Sequence, residues 1–436
     1  MAVSVRTIQI AVPSTVLHQD QVRDVFASQS GLTRLGTRLV TASFDGSGID
    51  TRYTVIDELT LDTQSEDPTF FDLESGRLLA PSTGVRNELY IERATELYVE
   101  AGRKALDAVP DLQASDITHV VTVSCTGFFA PGPDYVLVRQ LGLAPSTLRY
   151  HVGFMGCYAA FPALRMAKSF CEADPDAVVL VVSAELCTLH VRSSNEPDQI
   201  VASSVFADDA AAAIVTARPL PASTTPTLDL DFFESVLTPV GEGDMAWKIG
   251  DEGFEMVLSS YVPKIIDEHI TGALEPLLAR APELAEAPSE AITHWAIHPG
   301  GRSILDKVEA KLGLSEEQLV PSRRVLREYG NMSSATILFV LKDILESAAA
   351  SSPADEQGAE RCEAVADRLH EAAQCGRGLL AAGAQIDERE ADRKEHRADA
   401  DERHPEPGSR GRDEKQPGVA DYEEQHAALD DPAGMP

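Results

Sequence analysis

One cysteine, one histidine and one asparagine stand far apart in the chain, each in a setting suited to chemistry. Cys157 lies in GFMGCYAAF, after a small-residue turn and at the head of an apolar run. His298 ends a short apolar run and is followed by Pro299, Gly300 and Gly301. Asn331 sits between Gly330 and a Met-Ser-Ser helix start. A thiol nucleophile, an imidazole and an amide donor are the parts that acyl-thioester chemistry needs. Each also has an ordinary reading: a small buried hydrophobe, a strand-end histidine, a turn asparagine. Cys157 and His298 are 141 residues apart and Asn331 lies 33 further on, spacings that match no local motif. Only a tertiary fold could unite them.

The elements that must do so alternate in type. SVRTIQIAVP alternates well enough to be a strand. NELYIERATELYVEAGRKALDAV carries Leu89, Leu97, Ala101, Ala105 and Leu106 at helical spacing. ITHVVTVSC reads as a buried strand leading into the loop CTGFFAPGPD. A helix near Tyr135 to Leu141, a helix over 157–171 opened by Cys157, and the buried strand AVVLVVSAE follow. A second unit of similar plan starts near Leu228. It offers strand DLDFFESVLTP, helix EMVLSSYVPKIIDEHITGALEPLLA, strand ITHWAIHP, and helices GRSILDKVEAKLG and NMSSATILFVLKDILESA. Buried strands alternating with helices predict a mixed α/β sheet covered on both faces.

In this order and spacing, the Cys157, IHPGG and GNMSSA motifs resemble the chalcone and stilbene synthases, the type III polyketide synthases. The likeness runs from the first strand to about Leu345. It implies a thiolase-like duplicated fold with layered αβαβα architecture, and an active site at the seam of its halves. The halves would be residues 1–225, carrying Cys157, and 226–350, carrying His298 and Asn331. The resemblance makes Cys157, His298 and Asn331 the catalytic triad. It places Phe206, in VFADDAAAAIV, at a gatekeeper position bordering the cavity, and Met256, in GFEMVL, where the family has a second gatekeeper phenylalanine. The implied substrates are an acyl-CoA starter and malonyl-CoA, in a homodimer that needs no metal or redox cofactor.

The chain also departs from that pattern. Arg34, Arg38 and Arg52 lie near the family's CoA-binding basic cluster, but Ala42 and Gly46 replace basic residues found in plant members. Ala130 stands where many plant members insert a methionine into the partner subunit. The closing strand pair around a Gly-Phe-Gly-Pro-Gly loop has no clear counterpart. CGRGLL, Cys375 to Leu380, keeps two glycines and a leucine at similar spacing. Residues 351–436 read as an atypical tail: a polar linker, one short amphipathic helix over ERCEAVADRLHEAAQCGRGLLAAG, then a disordered charged segment.

Composition narrows the classes further. A chain of 436 residues can bury a large core. The net charge of −33 opposes nucleic-acid binding, which needs clustered Lys and Arg. From Asp387 onward 16 acidic residues face 8 basic ones, so about 8 of that excess sits in the tail. Six scattered cysteines without CxxC spacing suggest neither a disulfide framework nor a zinc site, and fit a reducing cytoplasm. No run reaches the roughly 18 apolar residues of a membrane span, and MAVSVRTIQIAVP lacks signal-peptide features. Two other readings stay open. A fatty-acid-initiating ketoacyl synthase shares the fold and triad, but normally has His-Gln-Ala-Asn where this chain has residues 298–301. A catalytically impaired homologue would keep the fold only as an assembly partner.

Overall fold

The computed structural model describes residues 2–62, 64–219, 226–350 and 379–380, all within one compact unit, Met1–Asp387. Its first elements form an outer scaffold. β1 (Ser4–Ala11) is followed by β2 (Thr15–His18), α1 (Gln19–Ala27) and α2 (Arg34–Gly46), and β3 (Thr51–Thr54) returns antiparallel to β2. A short ribbon, β4 (Phe71–Asp72) with β5 (Arg77–Leu78), precedes the long helix α3 (Thr83–Asp107). The Thr33 and Ser82 side chains accept from the Gly36 and Val85 N–H groups, satisfying donors that the first helical turn leaves free.

One large sheet then assembles. Its strands are β6 (His119–Ser124), β7 (Leu148–Gly153), β8 (Val178–Leu186), β9 (Asp208–Thr216) and β10 (Leu228–Asp229), together with β1. The connecting helices are α4 (Pro133–Gln140), α5 (Ala160–Ala173) and α6 (Pro197–Val205). The strand order is β10-β1-β9-β8-β6-β7, with β6 parallel to β7 and β8, and β9 antiparallel to β8 and β1. Every position of β8 and β9 is buried. Alternation sorts their side chains between two cores. Leu180, Val182, Ala212 and Ile214 pack with Tyr98 and Ala101 of α3, while Val179, Val181, Ala211 and Ala213 pack with Leu164 and Ala167 of α5.

The rest of the chain adds a hairpin and a second layer. β11 (Met245–Gly250) and β12 (Gly253–Leu258) pair antiparallel; α7 (Val262–Leu278), α8 (Pro282–Ala285) and α9 (Pro288–Ala291) follow. After β13 (Trp295–Ala296) come α10 (Arg302–Leu312), α11 (Glu316–Tyr329) and α12 (Thr336–Ala350). β14 (Leu379–Leu380) runs parallel to β13. Residues 337–341 of α12 are all buried, because that helix packs on β1 and β9 and also on β13. An all-round apolar helix is one enclosed between layers.

Four sequence expectations change. The helix expected over 157–171 begins later: Gly156 adopts φ 70°, Cys157 lies in a 3₁₀ turn (Gly156–Tyr158), and α5 starts at Ala160. The helix expected from Glu255 is a strand followed by a helix. Gly253 turns the hairpin at φ 108°, and Pro263 restricts the helix start to its own first turn. Of DLDFFESVLTP only Leu228–Asp229 pairs, against Ser4 and Val5 at the sheet edge. Leu379 and Leu380, inside the expected tail helix, form a strand at the edge of β13. The disorder expected of the tail lies outside the described residues.

Candidate active site

Cys157 is partly buried within the turn that Gly156 allows. Burial pushes its thiol up to about 11. Hydrogen bonds from Ser333 and Asn331 pull the other way, and the Glu185 carboxylate adds to the rise. Ser333 adopts φ 48°, a left-handed conformation unusual outside glycine, which marks a constrained turn. Its hydroxyl also lies 3.5 Å from Cys125 Sγ.

Asn331 is 2 % exposed, and its side chain is held at both ends. Its Oδ1 accepts from the Ser333 N–H at 2.9 Å, and its Nδ2 donates to the Gly300 carbonyl at 3.2 Å. With Oδ1 so occupied, the amide presents N–H towards the thiol. Gly300 belongs to the IHPGG loop, so this bond joins the histidine segment to the asparagine segment, whose amide in turn meets the Cys157 thiol. His298 is lowered to about 4 by burial, and neither ring nitrogen has a hydrogen-bond partner among the described residues. Its imidazole is therefore neutral at pH 7 and free to accept a proton. A preformed thiolate–imidazolium pair is not what these two environments favour.

Phe206 and Met256 come together in one apolar cluster that Cys157 also touches. Phe206 is 5 % exposed and forms a parallel bridge with Asn331. Met256 lies on β12 opposite Trp247, and its carbonyl accepts from Gln199 Nε2. Sequence reasoning missed the groups around them. Trp247 Nε1 donates to the Cys125 carbonyl at 2.7 Å. His190 stacks on Phe254 at 4.1 Å and meets the edge of Trp247 at 5.3 Å. The Phe254 N–H donates to His190 Nδ1, so Nε2 carries the hydrogen and donates to the Thr126 carbonyl at 2.7 Å. Burial lowers His190 to about 3, which keeps it neutral.

Glu185 lies fully buried at the site's floor. It accepts from the Cys125 N–H, Thr126 Oγ1, Ser124 Oγ and Ser334 Oγ, and burial still raises its carboxyl above the usual range. An apolar run such as VVSAELCTLH signals burial but not which neighbours its polar members will meet. One expectation is corrected here. Arg52 is 1 % exposed and its guanidinium faces backbone carbonyls, so it is not available to a solvent-borne phosphate.

Residues 2–219 match the family described as chalcone and stilbene synthases, N-terminal domain, and residues 229–364 match the corresponding C-terminal domain. The chain is 34% identical over 333 residues to type III polyketide synthase 21 of Oryza sativa subsp. japonica, covering 76% of this chain and 82% of that protein. Among solved structures it resembles PKS-I of the brown alga Ectocarpus siliculosus, with TM-score 0.74 and 29% identity over 80% of this chain and 90% of the other. It also resembles the C-terminal type III polyketide synthase domain of Steely1, a type I/III hybrid from Dictyostelium, with TM-score 0.69 and 29% identity over 81% and 93%. Among the described residues no helix is long and apolar enough to cross a membrane. The chain belongs to the chalcone and stilbene synthase family and has its layered, thiolase-like α/β fold.

Proposed function

We propose that this protein is a type III polyketide synthase acyltransferase. It loads an acyl-CoA starter on Cys157 and extends it with malonyl-CoA. The observation that carries this reading is the contact of the Asn331 amide with the Cys157 thiol, held by bonds to Gly300 and Ser333. In loading, the Cys157 sulfur attacks the thioester carbonyl as its proton passes to neutral His298, and CoA thiol leaves with a proton. Malonyl-CoA then loses CO₂, leaving an enolate on the acetyl-CoA unit. Hydrogen bonds from the N–H of neutral His298 and from Asn331 Nδ2 stabilise the enolate oxygen. The enolate carbon attacks the Cys157 thioester, a carbon–carbon bond forms, and the thiolate departs. Repetition and cyclisation give a pyrone, resorcinol or phloroglucinol-type ring. Phe206 and Met256 border the space in which the chain grows.

In this reading residues 1–225 and 226–350 are the two halves that meet at the site, and 351–436 is an atypical tail. A homodimer is supported by β7, an edge strand whose residues are mostly exposed, and by nearby Phe128, Phe154 and Tyr150, which are large, apolar and exposed. The test is one incubation with malonyl-CoA and a panel of acyl-CoA starters, read by mass spectrometry. Products longer than the starter by two-carbon units support the proposal. Turnover that requires an acyl carrier protein would instead favour the ketoacyl-synthase reading. Neither acyl-enzyme nor product with any starter would leave an impaired homologue.

A further inference from the structure

The last carbonyls of a helix have no partner inside it. At the C-terminus of α6 every one of these carbonyls is met by a donor from a distant segment. The Ser203 and Phe206 carbonyls accept from Arg52 Nη1, the first at 3.0 Å. The Ser204 carbonyl accepts from Gln19 Nε2 at 2.7 Å, and the Val205 carbonyl from the Asn331 N–H at 2.8 Å. The Asn331 carbonyl in turn accepts from the Ala207 N–H at 2.9 Å. Phe206 and Asn331 are thus fixed to each other through the backbone, at a junction that Arg52 closes.

The same short segment also holds the end of α11. The Asp50 N–H donates to the Arg327 carbonyl, and Thr51 Oγ1 donates to the Glu328 carbonyl, both at 2.8 Å. Three consecutive residues, Asp50, Thr51 and Arg52, therefore cap two helices whose ends carry Phe206 and Asn331. The stem of Arg52 crosses Gly330, where a Cβ would lie 2.9 Å from Arg52 Cγ and Cδ. Gly330 itself has φ 76° and ψ −153°, a conformation open essentially to glycine alone. Both bonds leave one nitrogen, Nη1, whose two N–H groups point in fixed directions, which the rotatable ammonium of a shorter lysine does not reproduce. Burial lowers Arg52 only to about 10, so it stays cationic at pH 7, as suits a helix C-terminus.

We propose that Arg52 is a positioning residue: it sets the junction of Phe206 and Asn331, and so aims the Asn331 amide at Cys157. The proposal rests on the reading of Asn331 as the oxyanion donor and of Phe206 as a cavity wall. A misplacement of about 1 Å can cost on the order of 100-fold in rate. Arg52→Met should therefore lower acetyl-CoA release from malonyl-CoA by about that factor, while acylation of Cys157 by a starter changes far less. Starter preference should shift in the same variant. The milder Arg52→Lys, which keeps the charge, should retain the fold and still lose decarboxylation by about tenfold.

The decisive comparison adds Asn331→Ala, alone and combined with Arg52→Met. If Arg52 acts through Asn331, the double variant decarboxylates no more slowly than Asn331→Ala. Fully multiplicative losses overturn the proposal, as does an Arg52→Lys or Arg52→Met enzyme that decarboxylates within about twofold of the wild type. Equal losses of loading and decarboxylation, in step with the melting temperature, make Arg52 merely structural and also overturn it. If Asn331→Ala itself keeps full decarboxylation, it is the reading of Asn331 that fails. Arg52 is then judged on starter preference alone, which must still shift in Arg52→Met.

Discussion

The sheet under the site and the hairpin over it are built on opposite terms. β8 and β9 are buried at every position, enclosed by α3 on one face and α5 and α12 on the other. β11 and β12 form a two-stranded ribbon of mostly exposed or half-buried residues. It is tied down by Trp247 to Cys125, by Gln199 to the Met256 carbonyl, and by Thr83 to Gly250 and Gly253. A substitution in the floor must displace close-packed neighbours, whereas one in the ribbon mainly reshapes the space it borders. In the proposed function the floor holds the chemistry in place, and the ribbon is free to set which acyl chain fits.

Several substitutions can sharpen or break that contrast. The largest effect belongs to Cys157→Ala, which should abolish acyl-enzyme and product together in an acyl-labelling assay. Cys171→Ala, near the C-terminal end of α5 with its sulfur directed at the Ala177 and Val215 carbonyls, should keep both. Next comes Asn331→Ala. Loss of one oxyanion donor typically costs about 2.7–4 kcal/mol, or roughly 100- to 1000-fold. Release of acetyl-CoA from malonyl-CoA should fall by that factor, with starter loading much less affected.

The floor and the ribbon then part company. Ala212→Leu, in the middle of β9, should destabilise by about 1–3 kcal/mol through overpacking, read as a lower midpoint in denaturant. Met256→Phe should leave that midpoint nearly unchanged and shift preference towards shorter starters. A starter profile that survives Met256→Phe would make Met256 an ordinary packing residue and remove the ribbon's proposed role. A further test concerns pH. With the thiol near 11 and the imidazole near 4, alkylation of Cys157 by iodoacetamide should climb about tenfold per pH unit from pH 6 to 9. A standing ion pair would instead give a rate that is flat above about pH 7.

Much of the floor was legible in the sequence because its signals are local. β8 opens with the unbroken apolar run VVLVV, and α3 shows helical spacing over its whole length. The triad motifs were legible because glycines and small residues surround them for steric reasons: Gly156 and Gly330 both take positive φ. The ribbon was misread because EMVLSS fits helix and strand alike, and a turn at Gly253 decides between them. Trp247 and His190 gave no signal, since their partners, the Cys125 and Thr126 carbonyls, come from far away in the chain. Arg52 reads as a neighbour of the CoA-binding basic cluster because a sequence shows charge but not burial. β14 was obscured for a different reason: its strand follows from pairing with β13, not from the helical look of its surroundings.

The central claim is that Cys157 carries the acyl chain while Asn331 serves the decarboxylation that extends it. The most direct measurement is intact-protein and peptide mass spectrometry of the wild type and Asn331→Ala, incubated with an acyl-CoA starter and then with malonyl-CoA. The account predicts the starter's mass on the Cys157 peptide in both proteins. After malonyl-CoA, the wild type should turn that adduct over into extended product, and Asn331→Ala should keep it unextended. An adduct on another residue, or normal extension in Asn331→Ala, would contradict the account.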